Sequence, residues 1–177
     1  IDPEQRLFLD VGLRALEDAG RGGQALDDAR VGVFVGVSLG SPWRDAVMRV
    51  VPPARVEQAF ALNVPSNVAT RLSFLHNWRG PAALVDTACS SSLTAIHLAC
   101  RALRSGECDW ALVGGAKAIL LPPGDGQKLT IDSSTGRTRA FAEGADGTGM
   151  GEGAVAVLLR PLEQALAEGD PIHAVIL

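Results

Sequence analysis

The sequence predicts an α/β fold with a mostly parallel or mixed sheet, and three observations carry that expectation. Four runs, residues 31–37, 82–86, 110–121 and 154–159, are rich in Val, Leu, Ile and Ala without the polar alternation of a half-wet sheet. Helical stretches separate most of them. Gly, Pro and Asn or Asp punctuate the junctions. The stretch around which the rest is organised is 82–107, AALVDTACSSSLTAIHLACRALRSGE, where a strand-like run passes through Cys89 into a helix-like one.

Taken in order, Asp2 is a good N-cap with Pro3 at the first helical position and Gln5 three residues on, so residues 3–19 form a helix. Leu7, Val11 and Leu16 supply its apolar stripe and Gly20 its stop. Residues 21–29 are a polar loop. VGVFVGV, 31–37, is a central strand covered on both faces, its glycines marking close backbone approaches. Short helices are expected at 43–50 and 55–62, and a third at 65–75 with Val68, Leu72 and Leu75 on one side. Residues 77–81 turn into a buried strand, 82–86, that ends in Asp86. The following helix is apolar nearly all round (Leu93, Ala95, Ile96, Leu98, Ala99, Cys100, Ala102, Leu103), which predicts an interior position. After a turn at 106–109 come a second buried strand at 110–121, a tight loop at 122–126 and a strand at 154–159. A helix at 162–168 stops at Gly169, and residues 172–177 read as a further strand.

A chain of 177 residues with 47% hydrophobic content can bury a sizeable core as one domain. A net charge of −4 argues against nucleic acid or an anionic membrane as principal partner. There is no membrane-length apolar run and no signal-peptide pattern. Three cysteines without paired spacing fit neither a disulfide framework nor a zinc site, which points to a reducing, cytoplasmic setting.

The chemistry concentrates at Cys89. A thiol in the first turn of a helix meets unpaired backbone N–H groups and the positive end of the helix dipole, both of which favour thiolate. The same N–H groups can hold an oxyanion when the thiolate attacks a thioester carbonyl. Ser90, Ser91 and Ser92 offer helix-capping hydroxyls. The plain alternative is one more small buried cysteine. Asp86 reads as a turn acceptor. His97, eight residues along the same helix, stands about 12 Å away in rise and cannot touch the thiol. His76 and His173 read as surface or structural histidines, and Cys100 and Cys108 as inert. GTGMGEG, 147–153, lacks both the G-x-G-x-x-G spacing and a following helix, so it predicts a tight structural loop, with Glu152 a buried or half-buried hydrogen-bonding carboxylate.

VDTACSSSL, 85–93, resembles the active-site motif of the β-ketoacyl synthase (ketosynthase) domains of modular polyketide synthases. DPEQRLFLDVGLRALEDAG, VGVFVGVS, NVPSNVATRLSFLHNWRGP, LRSGECDWALVGGAK and ADGTGMGEGAVAVLLRPLEQALAEGDPIHAVI resemble that family in its order, across nearly all residues. KLTIDSSTGRTRAF, 128–141, is most similar to ketosynthases of trans-acyltransferase systems. The resemblance implies a thiolase-like fold, layered αβαβα, of which residues 1–177 are most of the N-terminal half, without the opening strand and the C-terminal half. It implies Cys89 as nucleophile and its backbone N–H as an oxyanion donor. It further implies homodimers with residues 82–86 near the twofold contact, and an acyl carrier protein as partner. That carrier brings the phosphopantetheine, and the domain itself binds no cofactor or metal. The family completes its site with two histidines in H-G-T-G-T and N-I-G-H motifs, neither of which occurs among these residues. Three functions follow as alternatives: an elongating ketosynthase, a non-elongating one that only transacylates, or a dimerisation and carrier-docking module. Alone, these residues are expected to be inactive.

Overall fold

In the computed structural model, which describes residues 1–119 and 131–177, six helices and four strands form around one sheet. In order they are α1 (Pro3–Asp18), β1 (Val31–Gly36), α2 (Pro42–Val50), α3 (Val56–Leu62), α4 (Asn67–Leu75), β2 (Ala82–Val85), α5 (Ser91–Arg104), β3 (Trp110–Lys117), β4 (Gly153–Leu159) and α6 (Leu162–Glu168). Single 3-10 turns occupy Pro53–Arg55 and Ala88–Ser90. The sheet order is β2-β1-β3-β4; β1 runs parallel to β2 and β3, and β4 antiparallel to β3. The sheet is therefore mixed. β1 is buried along its whole length, as its unbroken apolar run requires.

Helices cover both faces. On one, Phe8 and Leu16 of α1 and Val68, Ala69 and Leu72 of α4 close over Val31, Val33, Val35 and Leu112. On the other, Ala95, Ala99 and Ala102 of α5 pack on Phe34, Ala111 and Val113. The buried side of α1 runs through Gln5, Phe8, Gly12 and Leu16, not through the expected Leu7 and Val11; Leu7 is 39% exposed. Gly12 sets this rotation. A Cβ there would lie 2.9 Å from Leu72 Cδ1 and 3.2 Å from Leu112 Cδ2, so the face without a side chain comes closest to the core.

Four other expectations are corrected. α5 is not enclosed: small alanines press one side onto the sheet, while Leu93 on the other is 73% exposed. Among the described residues β2 is an edge strand with only Val85 fully buried, because it pairs there with β1 alone. Leu75 is exposed, since Val68, Ala69 and Leu72 already complete the inner side of α4. Residues 172–177 form no strand; they are exposed and no neighbouring strand pairs with them among the described residues. The expected 110–121 strand stops at Lys117; residues 118 and 119 are not strand, and its tail from residue 120 and the expected loop at 122–126 lie outside the described residues.

Two polar clusters tie the periphery to the sheet. Buried Asp2 caps α1 by accepting from Glu4 N–H at 2.9 Å, and it also accepts from Ser41 Oγ, which itself caps α2 at Arg44 N–H. Gln5 donates to Val64 C=O at 3.1 Å and accepts from Arg71. At the start of β3, the Arg160 guanidinium lies 4.0 Å over the Trp110 ring and Arg21 lies 5.1 Å from it. Both arginines bind Glu168 and Asp170, which locks α6 and its left-handed Gly169 stop onto the sheet.

The glycine-rich segment 144–153 is the expected structural loop. Its anchor is Asp146, which accepts from the buried Ser133 Oγ at 2.8 Å and from Ser134 N–H at 2.9 Å. Glu152 holds Ile119 N–H as a hydrogen-bonding carboxylate, but it is exposed rather than buried. Hydrogen bonds from Ser134 and Ser133 hold the Asp146 carboxyl down at about 2. A carboxyl held below its unfolded value of about 3.9 stabilises the loop above that value and ceases to do so as pH falls through about 2. Asp146→Asn is therefore expected to raise tryptic cleavage at Arg137 and Arg139 several-fold at neutral pH, where the native loop is still closed. Limited proteolysis with mass-spectrometric site assignment checks this.

Candidate active site

The site is assembled where β2 ends. Asp86 and Thr87 leave the strand, and Ala88 then takes a left-handed conformation with φ +55°. Cys89 follows in the 3-10 turn, and α5 begins at Ser91. A left-handed alanine costs roughly 1 kcal/mol and persists only where its surroundings hold it. Here they do. Ser91 Oγ accepts from Thr87 N–H at 2.9 Å and donates to Ala88 C=O at 2.7 Å. Ser90 Oγ stands 2.8 Å from both Thr87 C=O and Thr87 Oγ1. Asp86 Oδ1 accepts from Ala88 N–H at 3.2 Å.

The serines thus do a different job from the one their type predicts. Ser90 occupies the N-cap of α5 but makes no capping bond, and Ser91 turns back to close the elbow. The first-turn N–H groups of α5 stay uncapped by Ser90. The thiol sits in the turn just ahead of α5 rather than inside its first turn, and it is exposed. No acidic residue stands in the first turn of α5, and Arg101 and Arg104 offset the negative end of its dipole in the last turn.

Beneath the elbow lies a row of small residues. Val85, Gly36 and Gly115 are register partners across β2, β1 and β3. A Cβ at Gly36 would lie 2.7 Å from Ser92 N and 2.8 Å from Ser91 C; one at Gly115 would lie 2.7 Å from Ser92 Oγ. The start of α5 therefore rests on bare backbone at the C-terminal ends of the parallel strands, the edge where open α/β sheets place their ligands. The glycines of VGVFVGV are close approaches, as read, and so are Gly114 and Gly115 of β3.

Asp86 makes a second bond, accepting from Leu39 N–H at 2.9 Å through Oδ2. These two backbone bonds hold its carboxyl below the usual range, so it is ionised at neutral pH. The turn-acceptor role was legible from Asp86 itself. The bond to Leu39 was not, because no local signal joins residues 47 positions apart.

The other candidates lie elsewhere. His76 Nδ1 meets Asp27 Oδ1 at 2.7 Å and stacks on Trp78, in the loops that precede β1 and β2, at the opposite edge of the sheet from Cys89. His97 is exposed on α5, and His173 pairs with Asp18 at 2.8 Å. Cys108 is buried against Gly32, and burial pushes its thiol up, with Asp109 and Glu107 adding to the effect. Cys100 is half-buried on α5. Of the three cysteines only Cys89 combines exposure with a helix start.

Comparison with known proteins identifies the family and the fold. The family described as "Beta-ketoacyl synthase, N-terminal domain" matches residues 1–165. The chain is 44% identical over 180 residues to the phthioceranic/hydroxyphthioceranic acid synthase of Mycobacterium tuberculosis, covering 99% of this chain and 8% of that protein. It is 40% identical over 184 residues to a partially reducing polyketide synthase of Talaromyces stipitatus, covering 99% and 7%. Among solved structures it superimposes on the ketosynthase from module 6 of the bacillaene synthase of Bacillus subtilis with a TM-score of 0.79 at 37% identity, over 97% of this chain and 29% of that one. An oxazolomycin ketosynthase domain from Streptomyces albus gives 0.78 at 39% identity, over 96% and 30%. The chain thus spans under a tenth of these curated relatives and under a third of these ketosynthase structures.

The elbow's hydrogen bonds rank the serines. Ser91→Ala strands Thr87 N–H and Ala88 C=O in a part-buried setting, at about 1–3 kcal/mol of local opening energy. Ser90→Ala, in an exposed setting where water can substitute, costs far less. Hydrogen exchange of peptides spanning 85–93 in the intact protein is expected to quicken roughly tenfold in the first variant and little in the second. Independently, brief iodoacetamide treatment at neutral pH should label Cys89 at least about tenfold faster than Cys108, read by peptide mass.

Proposed function

This chain belongs to the β-ketoacyl synthase family, and from that premise we propose that it carries the nucleophile of a chain-elongating polyketide ketosynthase. One observation carries the reading: an exposed Cys89 held on a left-handed elbow between the end of a parallel strand and the start of α5. In this reading the substrate is an acyl chain in thioester linkage to the phosphopantetheine arm of an acyl carrier protein. The Cys89 thiolate adds to the acyl carbonyl carbon, and the carbonyl electron pair moves onto oxygen, where the Cys89 N–H is one donor. As that pair returns, the carrier's thiolate is expelled. One thiolate enters and one leaves, so this step needs no proton source.

The second step joins a malonyl unit. Loss of carbon dioxide from malonyl-carrier supplies the carbanion that attacks the acyl carbon and expels the Cys89 thiolate, leaving a β-ketoacyl chain two carbons longer. Histidines serve this step in the family. His76, His97 and His173 do not supply them, so condensation calls on residues outside these 177, as the proposal that they form part of a longer ketosynthase domain requires. The similarity of 128–141 to trans-acyltransferase ketosynthases supports that subtype. The exposed outer edge of β2 supports a homodimer formed near residues 82–86. No described helix is long and apolar enough to cross a membrane, and the free cysteines support a cytoplasmic site of action.

The test uses the intact protein. Incubation with a simple acyl thioester is expected to add one acyl mass to the peptide containing Cys89, and Cys89→Ala should abolish it. Malonyl-carrier is then added and the carrier weighed. A carrier heavier by the β-ketoacyl product supports elongation. A persistent acyl-enzyme means transacylation alone, and no adduct overturns Cys89 as nucleophile.

A further inference from the structure

We propose that Asp86 is a positioning residue for acyl transfer, clamping the Cys89 elbow to the loop that follows β1 so that the Cys89 N–H stays aimed at the developing oxyanion. The inference rests on the function proposed above. It is carried by the two hydrogen bonds of a single carboxylate. Oδ1 takes Ala88 N–H, one residue before the nucleophile, and Oδ2 takes Leu39 N–H from a different crossing of the sheet edge. The peptide between Ala88 and Cys89 carries the Cys89 N–H. Rotation about the left-handed Ala88 swings that group, and the Asp86 bond to Ala88 N–H opposes the rotation.

The partner loop is itself anchored, which makes the clamp stiff. Two residues beyond Leu39, Ser41 Oγ donates to the buried Asp2, the N-cap of α1, and accepts from Arg44 N–H of α2. At the other end Val37 N–H reaches Val85 C=O at 3.3 Å. The run from α1 to the elbow is therefore continuous: hydrogen bonds join Asp2 to Ser41 and Leu39 through Asp86 to Ala88, and the chain itself joins Ser41 to Leu39 across Gly40. The carboxylate spends its charge on two N–H groups, so its action is to fix geometry. Removing a donor from an oxyanion hole costs about 10²–10³ in rate; misdirecting one costs less.

The substitutions separate the two arms. Asp86→Asn leaves a single acceptor oxygen for two donors. Asp86→Ser keeps a short acceptor for the N–H two residues on but cannot reach Leu39. In the intact protein, the maximal rate of Cys89 acylation by an acyl thioester is expected to fall about tenfold in Asp86→Asn. The half-saturating thioester concentration should stay within about twofold, as should the rate of Cys89 alkylation by iodoacetamide, which forms no oxyanion. Acylation unchanged within about twofold overturns the clamp. So does a parallel fall of acylation and alkylation in folded protein, which would mark a general structural role. If Asp86→Asn does not fold, Asp86→Ser is judged by the same two rates. Failure of wild-type protein to acylate at all sinks the proposed function instead, and so the two failures are distinguishable.

Discussion

The contact on which the rest depends is backbone against backbone. The first residues of α5 set their backbone on Gly36 and the Ser92 hydroxyl on Gly115, at a distance that even one methyl group on either glycine would not allow. Close packing of this kind has almost no tolerance, because a protein interior offers no space into which a displaced helix could relax. It sets the height of α5 above the sheet. That in turn determines how far the chain can travel between Val85 and Ser91, and so forces the tight elbow that presents Cys89.

A short connection at a fixed height is strained, and the strain is met by polar groups rather than apolar ones. Ala88 lies in a region that alanine disfavours, and Ser91, Ser90 and Asp86 each take up backbone groups that the turn leaves unpaired. Every one of these bonds exists because the elbow is too tight for regular secondary structure to satisfy its own N–H and C=O groups. The opposite edge of the sheet is treated differently. There Trp78 donates to Leu26 C=O, His76 pairs with Asp27, and the two rings stack, closing the loops before β1 and β2 into a half-buried corner. One edge is sealed and the other is left open around a thiol.

The distribution of exposed apolar groups belongs to the same picture. Leu93 beside the elbow, and Val155 and Val157 on the outward side of β4, face solvent on the α5 side of the sheet, whereas the α1 side is closed by Phe8, Leu16 and Leu72. In the proposed ketosynthase, that open side is where further protein and substrate would meet the nucleophile. The apolar circumference of α5 makes sense in those terms. A helix destined to be covered on both sides carries the same residues whether or not the second cover is in place.

Periodicity and punctuation were enough to place every described helix and all four strands of the described sheet, because each is written locally: proline and Asp2 at the start of α1, the valine-rich apolar run of β1, Gly169 after α6. The thiol at a strand-to-helix junction was equally local, and so was the likeness of VDTACSSSL to a ketosynthase motif. Rotation and partnership were not local. Which side of α1 turns inward depended on Leu72 and Leu112 meeting Gly12. Residues 172–177 look like a strand and form none, since a strand needs a neighbour and composition cannot supply one. Ser91 was legible as a helix-start serine but not as the clasp of an elbow, and the bond between Asp86 and Leu39 spans two crossings of the sheet. What the amino-acid order determined by itself was therefore the helices and strands of the described sheet and the place of one thiol at a strand-to-helix junction, both consequences of short-range sterics and hydrophobic pattern. Only the tertiary structure decided how that thiol is held, because the groups that hold it come together through the sheet and not through the chain.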